Sequence, residues 1–146
     1  MQDDSAQQHF RIQKERFFKP LCEALGLAPG EAQQGTGFAV VSAIAGHVRV
    51  FFEHDCGLCF FSVGAAADAK ALCGVEEFAE RFPRLRALEG AQRLSLAEQR
   101  AFLERNWRDI QLLFSPEQHA ETRRWADASA AAYTDQMARK QDSGRD

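Results

Sequence analysis

Apolar positions along the chain follow two rhythms. In the first part Phe10, Phe17, Phe18, Leu21 and Leu25 recur at helical spacing, behind the capping candidates Asp3, Asp4 and Ser5. Pro20 lacks a backbone donor, so the pattern predicts one helix to about Phe18 and a short second one from Pro20 to Gly26. Residues 28–37 hold turn formers without a period and are expected to form a loop. Three runs rich in Val, Ile and Phe follow at 38–44, 47–54 and 58–63. The breaks between them, Ala45-Gly46 and Asp55-Cys56-Gly57, are too short for a parallel crossover and predict antiparallel hairpins.

Beyond Gly64 the helical rhythm returns. Residues 65–74 fit a helix or a loop equally, 75–82 predict a short helix stopped by Pro83, and 84–93 read as irregular. Ser95 and Glu98 form a capping-box pattern ahead of a stripe made by Leu96, Leu103, Trp107, Ile110 and Phe114. "SPEQ" at 115–118 reads as a second start, with Ser115 as cap, Pro116 in the first turn and Gln118 completing a box. A last helix carries Trp125, Ala128, Ala132 and Tyr133, and the tail 141–146 is expected to fray. The expected fold class is α+β. A three-stranded antiparallel β-meander (about 38–44, 47–54, 58–63) packs with an N-terminal helix and two longer C-terminal helices in a single domain spanning 1–140.

Length and composition narrow the function classes. A chain of 146 residues is expected to build one domain around one core. Its net charge of −3 disfavours a general nucleic-acid surface and weakly favours a basic protein partner. The polar, acidic start "MQDDSAQQHF" is unlike a leader peptide, and no apolar run approaches the ~20 residues of a membrane span. A cytoplasmic location, with no membrane partner and with Cys22, Cys56, Cys59 and Cys73 reduced, is therefore the expectation.

The segment "EHDCGLCFF" at 53–61 is the strongest candidate for chemistry, because it holds a C-x-x-C. A three-residue hairpin loop Asp55-Cys56-Gly57 would pair His54 with Leu58, Glu53 with Cys59, Phe52 with Phe60 and Phe51 with Phe61. Cys56 would then sit at the tip and Cys59 on a strand. A redox C-x-x-C instead starts a helix, and a structural zinc site wants two close ligand pairs where this chain has one. The sequence therefore predicts no metal or other cofactor, with Cys22 and Cys73 as small buried apolar residues. Phosphate-loop and nucleophile-elbow motifs are absent from the sequence, so no catalytic residue is assigned and an enzyme is not expected.

The doublets Phe51-Phe52 and Phe60-Phe61 put aromatic rings on both faces of the hairpin. In the expected register Phe38, Val40, Ile44, Phe51, Phe61 and Val63 share a face with Arg49 and Glu53. Core burial on both faces, under helices or a second copy in a homodimer, explains such a sheet. So does a mixed face left open to a partner, with Arg49, Phe51, Glu53, Asp55 and Phe61 as candidate contact residues.

The segments "VRVFFEHDCGLCFFSVG" (48–64) and "LSLAEQRAFLERNWRDIQLLFSPEQHAETRRW" (94–125), in a small acidic domain of this layout, resemble immunity proteins of bacterial polymorphic-toxin and of type VI or contact-dependent secretion systems. The resemblance implies a protein of bacterial competition that binds a cognate toxin, basic around its active site, and occludes that site or its entrance. Size, acidity and mixed make-up also resemble secretion chaperones for effectors. A small thiol or zinc protein using Cys56 and Cys59 is the third reading.

Overall fold

The computed structural model describes residues 2–81 and 94–128 together with the single position 138; the side chains of 2–4, 80 and 81 are left aside. The chain is α+β, as its periodicities predict, but its antiparallel sheet has six strands where the sequence predicts three. The elements are α1 (Gln2–Gln13), a π-helical turn (Lys14–Phe18), α2 (Lys19–Leu25), β1 (Ala28–Pro29), β2 (Gln33–Gly35), β3 (Phe38–Ala45), β4 (Val48–Asp55), β5 (Leu58–Ala65), β6 (Cys73–Gly74), α3 (Val75–Arg81) and α4 (Leu96–Leu113). A further helix, α5, covers 119–128.

Pro20 does not break the first helix. The backbone widens into the π turn just before it, and α2 continues with proline in its first turn. A wider turn moves the carbonyl four residues back away from the proline ring, so no kink is required. Gly26, in the left-handed region at φ +66°, ends α2 as expected.

The central meander β3–β4–β5 matches the predicted strands to within two residues at each end. The missed strands are short. β1 pairs with Ile44 and Ala43, β2 pairs with Val40 to Phe38, and both lie along the same edge of β3. Every residue of β1 and β2 is exposed, so backbone pairing alone makes them strands and no hydrophobic alternation marks them. β6 pairs Cys73 and Gly74 with Val63 and Ser62 on the opposite edge.

The register of the second hairpin differs from the sequence expectation by one residue. Asp55 pairs with Leu58, His54 with Cys59, Glu53 with Phe60, and Phe52 with Phe61. The loop is the two-residue Cys56-Gly57, with φ values of +50° and +84°. Two consecutive positive φ angles make a type I′ turn, whose twist matches that of the flanking strands. A one-residue slip moves every β5 side chain to the other face. Phe61 and Val63 therefore join Phe52 in the core, and Phe60 and Ser62 join Phe51 on the outer face.

The core lies between one face of the sheet and the helices. Phe52 stacks on Phe10 and Phe18 with ring centroids 5.8 and 6.0 Å apart, and lies 5.0 Å from Phe61. α4 adds Phe102, Leu103 and Ile110, all fully buried. Its start carries the expected capping box, with Ser95 Oγ accepting from Glu98 N–H and the Glu98 carboxylate accepting from Ser95 N–H. The second predicted box does not form that way: Ser115 Oγ donates back to Leu112 O, and regular helix resumes only at 119. In α5 Trp125 packs edge-on to Phe78, while Ala126 is buried and Ala128 exposed. The expectations for 84–93, Ala132, Tyr133 and the tail 141–146 lie outside the described residues.

Candidate functional site: a groove on the outer face of the sheet

The outer face carries Phe38, Val40, Ser42 and Ile44 from β3. β4 contributes Arg49, Phe51, Glu53 and Asp55, and β5 contributes Leu58, Phe60, Ser62 and Gly64. Among the described residues no helix packs on it, and it stays partly open. A groove of about 720 Å³ runs over it, with Phe51 at its floor and Glu31, Gln33 and the segment 69–71 among its walls.

One wall depends on a glycine. A Cβ on Gly64 would sit 3.1 Å from Lys70 O and 3.2 Å from Leu72 N. Both are backbone atoms, so any larger residue here would push the 70–72 backbone away from β5 by a few tenths of an ångström. Leu72 N–H donates to Val63 O at 2.8 Å and fixes the segment there. Arg49 holds the chain just after β5: its Nη2 donates to Ala66 O at 2.9 Å, and its Nη1 to Ser42 Oγ of β3 at 3.3 Å.

The charged groups of the face are placed by cross-strand rows. Phe38, Asp55 and Leu58 form one row, and Val40, Glu53 and Phe60 form the next. Each row therefore sets a carboxylate between two apolar side chains. Phe38 is 49% and Leu58 70% exposed, one on each side of Asp55. Phe38 is held by its pairing with Gly35, over which its ring lies. Ser62 Oγ donates to the Glu53 carboxylate at 2.6 Å, which orients that acid, while Asp55 is exposed to solvent.

Four of the five residues singled out from the sequence, Arg49, Phe51, Glu53 and Asp55, line this groove together. Phe61 does not: it is fully buried on the core face, and Phe60 holds the place expected for it. Sequence reasoning missed Phe38 and Leu58 as exposed anchors and missed Lys70 in the wall. Lys70 lies in a stretch without period, so nothing local placed it near β4.

The two thiols of the C-x-x-C part company. Cys56 is exposed at the turn tip, and Cys59 is half-buried on the core face. Asp55 raises the Cys56 pKa, first by a side-chain hydrogen bond and then by its charge, and burial pushes Cys59 up to about 11. Redox thiols need the opposite shift. No disulfide joins any of the four cysteines, and Cys22 is buried while Cys73 is half-buried. Among the described residues no helix is long and apolar enough to cross a membrane. Compared with known protein families, with curated proteins and with solved structures, the chain matches none.

Proposed function

We propose that this protein is a binding module that takes a basic segment of a partner protein onto the outer face of its sheet, and that the partner is a cognate bacterial toxin neutralised by occlusion. The observation that carries this reading is the pair of apolar–acid–apolar rows, Phe38–Asp55–Leu58 and Val40–Glu53–Phe60. A lysine or arginine suits such a row, because its aliphatic stem covers the apolar neighbours while its charged head meets the carboxylate. Exposed aromatic and aliphatic anchors supply contact area, and rim acids steer a basic cleft toward it. The overall charge of −3 has the matching sign.

The test uses the full chain as bait in the native host, beside a Phe38→Ser/Asp55→Lys double variant. The expected result is capture of a protein that stops growth when expressed alone and is silenced by co-expression of the wild-type chain. Capture and rescue should both fall at least about tenfold with the double variant, the loss of one anchor and one reversed charge. A captured protein that is harmless alone, or one held equally by the double variant, overturns the reading.

A further inference from the structure

The core face of the same hairpin carries a second constellation. A ring nitrogen of His9, a ring nitrogen of His54 and Cys59 Sγ all lie within 4.8 Å of one another. His9 comes from α1, and the other two residues are direct cross-strand partners on β4 and β5. Their strand positions suit a shared ligand. Phe61 N–H donates to Gln99 on α4 and Val63 O accepts from Leu72, so the odd-numbered residues of β5 direct their backbone groups away from β4. Cys59 and His54 are therefore a non-hydrogen-bonded pair, the kind with Cα atoms only about 4.5 Å apart and closer side chains. The His9 and His54 rings meet edge to face at 5.4 Å. Among the described residues no hydrogen bond to either ring competes for the nitrogens.

We propose that His9, His54 and Cys59 bind one zinc ion, which pins the N-terminal helix to the β4–β5 hairpin and leaves a fourth coordination position to water. Two imidazoles and a thiolate are a borderline-soft donor set that zinc accepts in tetrahedral geometry. Metal–nitrogen bonds of about 2.0–2.1 Å and a metal–sulfur bond of about 2.3 Å bring such ligand atoms to roughly 3.3–3.6 Å from one another. From a spacing of at most 4.8 Å, side-chain rotations that bring the atoms about 1.2–1.5 Å closer complete the set. Half-burial of Cys59 and full burial of His54 shield two of the three bonds, and exposed His9 leaves an entry path.

Burial raises the Cys59 pKa to about 11, so zinc has to displace a tightly held proton. The Cys59 thiol gives up its proton to solvent as the sulfur–zinc bond forms, so affinity rises with pH. The three ligands lie on the face opposite Phe51, and His54 also borders the groove at the sheet's edge.

The full chain, reduced and stripped of metal, is titrated with Zn²⁺ against a chromophoric chelator and with Co²⁺ as a spectroscopic stand-in. One ion per chain is expected, with a thiolate-to-cobalt charge-transfer band. Cys59→Ser should remove that band. Cys59→Ser and His9→Ala should each weaken zinc binding by more than about a hundredfold, since changes outside the ligand set alone cost 10–100-fold. His9 is exposed, so His9→Ala should keep the metal-free melting temperature and lose only its rise on adding zinc. Cys56→Ser should bind within about twofold of wild type. Absence of stoichiometric binding, wild-type affinity in Cys59→Ser or His9→Ala, or loss of binding in Cys56→Ser overturns the proposal.

Discussion

At Cys56 the backbone stands at φ +50°, the one positive value among the described non-glycine residues. A side chain with a Cβ costs roughly 1–2 kcal/mol there, and asparagine is the residue that tolerates it best. Cys56→Asn would create the Asn-Gly pair that type I′ turns favour. We expect it to stabilise the fold by about 0.5–1 kcal/mol, read as a higher urea midpoint at unchanged slope. A lower midpoint would show that the Cys56 side chain has a role the turn geometry does not reveal. The aromatic positions alone do not set the register of this hairpin. Either register leaves one phenylalanine from each strand on each face, although in the observed one only Phe52 and Phe61 are direct partners and Phe51 and Phe60 are diagonal neighbours. The aromatic pattern is thus blind to the choice, and a cysteine at positive φ is an uncommon answer that turn rules do not anticipate.

At the element scale, α4 is fastened to the sheet by two glutamines. Gln99, buried, accepts from Phe61 N–H at 2.8 Å and donates to Leu94 O at 3.0 Å. Gln111 spans the β3–β4 turn, accepting from His47 N–H and donating to Ala45 O at 2.7 Å. Both close polar backbone groups that the short neighbouring elements leave open. Gln99→Met keeps the side-chain volume and removes both bonds. It should cost about 1–3 kcal/mol, because the Phe61 amide loses its acceptor in a buried setting. Urea unfolding and hydrogen exchange at that amide are the measurements. A change below about 0.5 kcal/mol with the amide still protected would refute the clamp. Helical spacing found the apolar stripe of this helix, but it could not say that Gln99 and Asn106 are buried beside it, because a glutamine's partner is a tertiary fact.

Across the whole molecule, the two faces of one sheet have different work. On the core face Phe61→Ala should cost about 3–5 kcal/mol, the penalty for emptying a closely packed aromatic site. On the outer face Phe38→Ser should stay within about ±0.5 kcal/mol, as substitutions of exposed residues do. Thermal or urea unfolding of the two variants checks both. Equal losses would mean that the outer face is sealed in the native protein, and the groove could then not receive a partner.

The chain's periodicities by themselves determined the helices, the three long antiparallel strands, the capping box of α4 and the presence of aromatic rings on both sides of the sheet. These are local properties, set by side-chain spacing and backbone propensity over a few residues. Only the tertiary structure decided which face the helices cover, how β5 is registered against β4, that the short strands β1, β2 and β6 pair at all, and that Cys59 keeps company with two histidines and not with Cys56. Each of those outcomes depends on contacts between residues far apart in sequence, where packing and backbone pairing select among arrangements that local pattern leaves equal.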